Sequence, residues 1–340
     1  MKDSLRRVRK MKKGVLLINL GTPKTPTPAD VRVYLKKFLS DPRVIDMPAW
    51  KWNPILNLAI LPHRPEKSAK LYQAIWSDKH GSPLLYYTQR QTEMLQEELP
   101  DYIVRYAMSY SEPEIAQVLL EMEQLEVDKL TIIPLYPQYS TTTVGSVLDD
   151  INRFYMGRIK IPSLKIVTDF CDFAPYIDAL ADKIKRAIDE FQPDKLLFSY
   201  HGIPVSYVEK GDPYAERCKL TTKLIIEKLG NISYTETFQS RFGPDKWLTP
   251  ATDDTLRKLP KEGVKRVLVV APSFVSDCLE TLHELEIENK EYFMQSGGVE
   301  FKMVPALNDD NSFTQVLKGL VLNQDIGITS ESDTKTESIQ

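Results

Sequence analysis

Short apolar runs alternate with amphipathic segments along almost the whole chain. Residues 15–20 form the first apolar run, and Thr27-Pro28 then opens a segment with a capping hydroxyl and a proline at the first helical position. An apolar run without a polar face predicts a buried strand, whereas apolar residues three and four positions apart predict a helix. The alternation predicts an α/β fold, with parallel sheets flanked by helices on both faces. Further strands are predicted near residues 103–109, 129–135, 165–170, 196–200, 235–239, 266–272 and 300–307. Further helices are predicted at 82–99, 115–125, 173–191 and 212–229, after Thr252 as the N-cap, and from Ser276.

Two segments of the second half of the chain echo segments of the first. Residues 16–23 resemble residues 196–204, and residues 130–134 resemble residues 267–272. We therefore expect two similar Rossmann-like halves with a cleft between them. The expected organisation is a basic arm at 1–13, a first half at 14–155, a second half at 156–322 whose last helix could pack back on the first, and a disordered tail at 323–340.

The composition of the 340 residues is that of a soluble globular protein, with 42% hydrophobic and 27% charged residues. A net charge of −3 gives no global basic field, so we expect no nucleic-acid partner. The basic residues clustered at 1–13 are interpreted as a solvated terminus. Because no signal peptide and no run of roughly 20 apolar residues is found, we expect a cytoplasmic protein.

Phosphate-binding loops are missing from the sequence. Neither G-x-G-x-x-G nor G-x-x-x-x-G-K-[ST] occurs, and Gly21, which follows the first predicted strand, lacks the further glycines of such a loop. The layout therefore argues against NAD or ATP chemistry.

His201 ends an apolar run and is followed by Gly202 and Pro204, so it is predicted to stand where a strand enters a loop. Ligands of open α/β sheets bind beyond the carboxyl ends of the strands. A histidine at that edge can accept a proton or bind a metal. A hydrogen bond within the loop is an equal alternative from this segment alone.

Five carboxylates recur along the helix predicted from Ser276. On a wheel of 100° per residue they fall within an arc of about 80°. One interpretation is a solvated outer face. The other is an acidic face that meets His201 at the sheet edge and receives a divalent metal of the Fe²⁺ type. The five are Asp277, Glu280, Glu284, Glu288 and Glu291.

The stretch from Trp50 to Leu61 is aromatic at one end and aliphatic at the other, and it is too short to span a bilayer. One interpretation is buried core. The other is an apolar lip near residues 50–64 that covers a pocket for a flat apolar ligand or touches a membrane surface.

Short motifs spread from about residue 13 to 322 together resemble the ferrochelatases, and they are most similar to the bacterial members without an iron–sulfur cluster. Ferrochelatases insert ferrous iron into protoporphyrin IX to make haem. The motifs include Asn19-Leu-Gly21-Thr-Pro23, Leu135-Tyr-Pro-Gln-Tyr139, Ser199-Tyr-His201-Gly-Ile-Pro204, Phe238-Gln-Ser-Arg241-Phe-Gly243, Trp247-Leu-Thr-Pro250 and Asp277-Cys-Leu-Glu280.

The resemblance implies a porphyrin cleft between the two halves. It implies His201 and Glu280 as the catalytic pair at the metal site, with Glu284 and Glu288 as an acidic path for the metal. Fe²⁺ is then a substrate, and no cofactor is bound permanently. The porphyrin contacts implied are Leu20, Arg64, Tyr72, Ser82, Tyr139 and Trp247.

Two positions depart from the pattern of some relatives. A [2Fe–2S] cluster requires four cysteines, but Thr141 replaces the mid-chain cysteine and no cysteine follows Cys278. We therefore expect no cluster. Cys278 itself stands where several relatives have a second histidine, so the role of that ligand in iron delivery stays open.

We expect a ferrochelatase that inserts Fe²⁺ into protoporphyrin IX and releases two protons, as the last step of haem biosynthesis. The apolar stretch at 50–61 favours this less polar porphyrin. The alternatives are a chelatase acting on another tetrapyrrole such as coproporphyrin III, and a non-catalytic haem or metal carrier on the same scaffold. We expect a monomer or weak dimer, and any peripheral contact with the inner face of the membrane would use Trp50 to Leu61.

Overall fold

The computed structural model describes residues 10–243 and 245–323. Residues 1–9 of the expected basic arm and residues 324–340 of the expected tail lie outside the described residues. The described chain forms two four-stranded sheets, each wholly parallel. None of its helices is both long and apolar enough to cross a bilayer.

The first sheet runs in the order β2-β1-β3-β4. β1 is one of its two inner strands, and its residues 15–18, whose apolar side chains lie on both faces, are all fully buried. A parallel strand of that kind requires helices on both sides of the sheet. The strands are β1 (Lys13–Asn19), β2 (Tyr102–Met108), β3 (Lys129–Pro134) and β4 (Ser163–Ile166).

The second sheet repeats this arrangement in the order β6-β5-β7-β8. The first strand in sequence again lies between the second and the third, so the two similar halves expected from the sequence are confirmed. His201 is the last residue of β5 and pairs with Gln239 of β6. The strands are β5 (Lys195–His201), β6 (Tyr234–Gln239), β7 (Arg266–Val270) and β8 (Glu300–Met303).

Twelve α-helices are found among the described residues. The first begins as predicted, since the Thr27 hydroxyl accepts the N–H of Asp30 at 3.4 Å. They are α1 (Pro28–Leu39), α2 (Ala49–Ile55), α3 (Arg64–Ile75), α4 (Pro83–Glu98), α5 (Ile115–Gln124), α6 (Ser146–Tyr155), α7 (Ala174–Phe191), α8 (Val205–Glu209), α9 (Tyr214–Leu229), α10 (Thr252–Lys258), α11 (Lys290–Gln295) and α12 (Asn311–Leu322). Leu56–Ile60, Thr141–Gly145 and Glu280–Asn289 are π-helical, and Leu259–Glu262 is a 3₁₀ turn.

The expected boundary at residue 155 falls before the last strand of the first sheet. β4 pairs with β3 from Ser163 to Ile166, so the first sheet extends beyond that boundary. The strand is also shorter than the predicted run at 165–170. The N–H of Phe170 already donates to the carbonyl of Pro137 at 2.9 Å, in the loop after β3.

Two predicted helix starts also differ from the structure. Thr252 is the first residue of α10 rather than its cap, and its hydroxyl hydrogen-bonds to Ser199 at 2.8 Å and Thr237 at 2.9 Å. The acidic helix predicted from Ser276 becomes the π-helical segment Glu280–Asn289. The turn before it is held by side-chain bonds of the buried Asp277 instead of helical bonds.

The last helix joins the two halves. α12 packs against α7 of the second half and α4 of the first. The Lys318 ammonium lies 2.8 Å from the Glu98 carboxylate at the end of α4. The second half therefore packs back on the first, as the sequence analysis allowed.

Candidate functional site

His201 lies half-buried at the carboxyl end of β5. Its Nδ1 is 2.7 Å from the carbonyl oxygen of Gly202. Because a carbonyl only accepts hydrogen bonds, Nδ1 carries the proton there, and a neutral His201 keeps its lone pair on Nε2. The imidazole is therefore oriented to take up a proton or a metal through Nε2.

Gly202 allows the strand carrying His201 to approach its neighbours closely. A Cβ at this position would lie 2.8 Å from the carbonyl oxygen of Gln239 and 3.3 Å from the indole of Trp247. The Gly202 N–H also donates to that Gln239 carbonyl at 2.8 Å. Any larger residue would push the histidine loop away from β6, so glycine is required for the packing here.

Glu284 is bound to the end of β6 by three hydrogen bonds. Ser240 donates to it through its backbone N–H at 2.7 Å and its hydroxyl at 2.5 Å, and Gln239 Nε2 donates at 3.1 Å. Ser240 has a left-handed φ of 66°, an unusual conformation for a residue other than glycine. Glu284 is therefore held at the sheet edge and does not lie on a solvated outer face.

The pKa of Glu284 is raised from its ordinary value because the carboxyl is buried. The bonds from Ser240 and the charge of His201 oppose this shift, whereas the nearby carboxylate of Glu280 adds to it. His201, Glu280 and Glu284 thus form one electrostatic group. A carboxylate with a raised pKa beside a histidine is typical of sites that move protons.

Glu280 begins the π-helical segment and faces the first half of the protein. Its backbone carbonyl accepts Gln239 Nε2 at 3.0 Å. Burial raises the pKa of Tyr72, and the charge of Glu280 raises it further as the next largest cause. The pKa of Tyr34 is raised by burial, then by Tyr72, and then by Glu280. Burial raises the pKa of the Cys278 thiol, and the charge of Glu280 and a hydrogen bond to it raise that pKa further.

The five predicted carboxylates do not form one stripe. The wheel assumed 100° per residue, but π-helical bonding runs from i to i+5 and winds more slowly. Asp277 is buried and hydrogen-bonded to Asn308 and Thr281. Glu288 is half-buried and lies 3.6 Å from Nδ1 of His283. Glu291 is exposed on α11.

Phe242 links Arg64 of the first half to Trp247 of the second half. The Arg64 guanidinium lies 4.4 Å from the centre of the Phe242 ring, and the Phe242 carbonyl accepts Trp247 Nε1 at 2.9 Å. Burial lowers the pKa of Arg64, and its buried Nη1 has no hydrogen-bond partner among the described residues. A buried cation with an unused donor is suited to an anionic ligand.

Tyr72 and Leu20 belong to one apolar cluster of the first half. Tyr72 is buried and its ring packs edge-on against Tyr34 at 6.3 Å between centroids. Leu20 packs against the same apolar cluster, and so does Leu279, which precedes Glu280. The cluster therefore connects the first half to the turn that carries Glu280.

The predicted lip divides into a buried and an exposed face. Trp52, Leu56 and Leu61 are buried in the cluster with Tyr72. Trp50 and Leu58 are 74% and 78% exposed. The buried-core interpretation therefore holds for Trp52, Leu56 and Leu61, whereas Trp50 and Leu58 form an exposed apolar face.

Two of the predicted porphyrin contacts, Ser82 and Tyr139, take no part in the hydrogen bonds described above around His201 and Glu284. Ser82 is buried directly before α4. The N–H of Tyr139 donates to Asp169 at 3.0 Å, beyond the end of β3. Conversely, Ser240 and Gln239 lie within one of the motifs but were not predicted as site residues, since nothing in the sequence indicates a contact with Glu284, 44 and 45 residues away.

Residues 12–325 match the family described as Ferrochelatase. The chain belongs to the ferrochelatase family. This confirms the resemblance seen in the motifs, and it makes the protein a metal chelatase of the lyase class in porphyrin and haem biosynthesis.

Two curated ferrochelatases cover nearly the whole described chain. The coproporphyrin III ferrochelatase of Enterococcus faecalis is 50% identical over 308 residues, which cover 91% of this chain and 98% of that protein. The ferrochelatase of Edwardsiella ictaluri is 47% identical over 314 residues, with 91% and 97% covered.

A solved structure supports the fold alone. The sirohydrochlorin chelatase SirB of Bacillus subtilis subspecies spizizenii, determined in complex with cobalt, aligns with a TM-score of 0.54 at 10% identity. The alignment covers 92% of this chain and 94% of that chain. The two-halved architecture of this ferrochelatase is thus a chelatase architecture.

The ligand atoms at the site of this ferrochelatase are not drawn into a closed cage. Among the described residues, one set of three such side chains has its ligand atoms within 4.8 Å of one another, namely Asp169, Cys171 and Asp172, which are not part of the site. His201, Glu280 and Glu284 are spaced more widely.

Proposed function

We propose that this ferrochelatase inserts Fe²⁺ into coproporphyrin III and releases two protons, with His201 as the base. The observation that carries the catalytic part is the orientation of His201, whose Nδ1 bonds to the Gly202 carbonyl and leaves the lone pair on Nε2, in the same electrostatic group as a carboxyl with a raised pKa. No redox step is required, because the metal keeps its oxidation state.

The two protons leave the pyrrole nitrogens as the metal enters the ring. His201 Nε2 accepts a pyrrole proton, and Glu284 takes a proton onward, because its raised pKa makes it a better proton acceptor than an ordinary carboxylate. Ser240 holds Glu284 in place for this transfer. Glu280 holds the incoming metal on the side facing Tyr72, and Glu288 lies further along the same π-helical segment as an outer site for the metal.

The porphyrin would lie between the two halves. Leu20 and Tyr72 would contact it from the first half and Trp247 from the second. The unused Nη1 of Arg64 would donate to a propionate carboxylate, which replaces the missing partner with a charge-assisted bond. Ser82 and Tyr139 are kept as porphyrin contacts on the resemblance alone.

Coproporphyrin III is favoured by the relatives and by the charge in the cleft. Coproporphyrin III carries four carboxylates, so more carboxylates are available to accept a hydrogen bond from the unused Nη1 of Arg64. The relative at 50% identity is named a coproporphyrin III ferrochelatase. Protoporphyrin IX is the second candidate, because the exposed apolar side chains of Trp50 and Leu58 suit a less polar ring.

The substrate is tested by following the loss of porphyrin fluorescence with Fe²⁺, side by side for the two porphyrins without oxygen. We expect kcat/KM to be at least about tenfold higher for coproporphyrin III. A tenfold difference corresponds roughly to the free energy of one hydrogen bond to a charged group. Equal values, or a preference for protoporphyrin IX, would reject the substrate proposal and leave the metal chelatase activity intact.

We also propose a cytoplasmic location in which the exposed face of the lip touches the membrane surface. Trp50 and Leu58 supply the apolar contact. Co-sedimentation with phosphatidylglycerol vesicles should decrease when both are replaced by serine. Unchanged sedimentation of this double variant would reject the contact.

A further inference from the structure

We propose that Gln91, in α4 of the first half, is a positioning residue for the turn of the second half that carries Glu280. The inference rests on the proposed function of His201 and Glu280 as the site of metal insertion. In this role, Gln91 makes the packing of the two halves directly responsible for the position of Glu280, a metal ligand.

The Gln91 amide reaches from the first half to the second. Gln91 is 1% exposed, and its Nε2 donates to the hydroxyl of Ser276 at 2.9 Å and to the carbonyl of Asn308 at 2.8 Å. The carbonyl of Val275 lies 3.5 Å from the same nitrogen. One side chain of α4 thus holds two separate segments of the second half, and one of them leads directly into Glu280.

Asn308 continues the connection from Gln91 to the turn. Its Nδ2 donates to Asp277 Oδ2 at 2.6 Å, and its Oδ1 accepts the Asp277 N–H at 2.8 Å. Asp277 Oδ1 accepts the Thr281 hydroxyl at 2.9 Å, which in turn accepts the Cys278 N–H at 3.0 Å. The residues on both sides of Glu280 are therefore fixed by a chain of hydrogen bonds that runs from Gln91 through Asn308 and Asp277.

Side-chain bonds are needed in this place because the turn is not helical. Residues 276–278 precede the π-helical segment, so buried backbone groups there require partners from other parts of the chain. The direction in which the π-helical segment leaves this turn sets where the Glu280 carboxylate lies. Loss of the Gln91 bonds would let the turn shift relative to the first half and to Tyr72.

Fold stability alone is a poor explanation for an amide at this position. The Gln91 Oε1 is buried and has no hydrogen-bond partner within the described part of the chain. A buried unpaired acceptor is unfavourable, and an apolar side chain of similar shape would avoid it. The benefit of the glutamine is therefore its N–H donors, which are the groups that reach the second half.

The test replaces Gln91 by methionine, which has a similar shape but no donor. Gln96 offers a matched control on the same helix, since within the described ranges its amide bonds only to the first-half groups Leu99, Tyr102 and Val104. With coproporphyrin III and Fe²⁺, Gln91→Met should lower kcat roughly 10- to 100-fold, as expected for a misplaced reactive group. Porphyrin Kd should stay within about twofold, and Gln96→Met should keep kcat within about twofold.

A second variant tests the same inference without requiring that Gln91→Met folds. Asn308 has a left-handed φ of 50°, which glycine adopts readily, so Asn308→Gly removes both bonds to Asp277 without straining the backbone. It should show the same loss of kcat at unchanged porphyrin Kd. Soluble Gln91→Met or Asn308→Gly protein with kcat within about twofold of the wild type would overturn the inference.

The same assay separates this inference from the proposed site. Activity that survives in His201→Ala would reject the site itself. A dead His201→Ala protein together with unaffected Gln91→Met and Asn308→Gly proteins would reject the role of Gln91 alone. Equal loss of kcat in Gln96→Met would show that the effect is general destabilisation, which also rejects the positioning role.

Discussion

Replacing Arg64 by methionine should weaken porphyrin binding with little change in the stability of the free protein. The guanidinium is buried enough to lower its pKa, contacts the ring of Phe242, and has no partner for Nη1 among the described residues. Methionine retains the apolar packing of the arginine stem. The charge and its donors are what the substitution removes.

The two effects on the free protein oppose each other. Loss of the cation–π contact costs about 0.5–2 kcal/mol. Removal of a desolvated charge returns a similar amount, because a buried cation without a counter-ion is unfavourable. The free energy of unfolding should therefore change by less than about 1 kcal/mol. The porphyrin complex loses a charge-assisted hydrogen bond of about 1.5–3 kcal/mol, which raises Kd roughly 10- to 150-fold.

The assay is a fluorescence titration with coproporphyrin III in the absence of metal, together with its tetramethyl ester. Arg32→Met is the matched control, since Arg32 already donates to the Leu61 carbonyl at 2.8 Å. The Arg64 variant should lose affinity for the acid but not for the ester, and the control should lose neither. Equal affinity of wild type and Arg64→Met for the acid would refute the carboxylate contact, as would an equal loss for the ester.

Three further results are expected. Because burial raises the pKa of Glu284 above its ordinary value of 4.5, the folded state holds this proton more tightly and loses stability as pH rises through that window. Denaturant titrations should therefore show that Glu284→Gln gains stability relative to wild type from about pH 4.5 upward. The gain should be about 1.4 kcal/mol for every tenfold difference in the proton affinity of Glu284 between the folded and unfolded states. A stability difference that does not change with pH would contradict the raised pKa. Glu280→Gln should abolish turnover even at saturating Fe²⁺, whereas Glu288→Gln should raise only the Fe²⁺ concentration needed for half-maximal rate; unchanged iron dependence would remove Glu288 from the path. The purified protein should contain no acid-labile sulfide, because three cysteines cannot supply the four thiolate ligands of a cluster, and sulfide near one cluster per chain would contradict this.

The strands were predictable because their apolar runs have no polar face. Residues 15–18 and 196–198 are fully buried, and such runs have one stable place in an α/β protein, the middle of a parallel sheet. The His201 site followed from the same logic, since a strand of this kind presents its last residue at the ligand-binding edge. β4 was harder to delimit because its residues are only half-buried and it pairs over four positions.

The geometry around Glu284 could not be predicted from periodicity. The wheel presumes α-helical spacing, and no local pattern marks the wider π-helical winding that begins at Glu280. The hydrogen bonds from Ser240 to Glu284 depend on the left-handed backbone of Ser240. The turn before Glu280 is hydrogen-bonded at Ser276 to Gln91, which is more than 180 residues away in the sequence. Both are tertiary contacts between residues with no shared sequence signal.

The central claim is that His201 removes the pyrrole protons, and His201→Ala tests it most directly. Initial rates of metal insertion should be measured without oxygen at saturating Fe²⁺, and porphyrin Kd should be measured on the same protein without metal. The account predicts that kcat falls roughly 10²- to 10⁴-fold while Kd stays within about twofold, since the half-buried imidazole at a strand end contributes little to packing. A variant that binds porphyrin normally and keeps more than about a tenth of the wild-type kcat would contradict it.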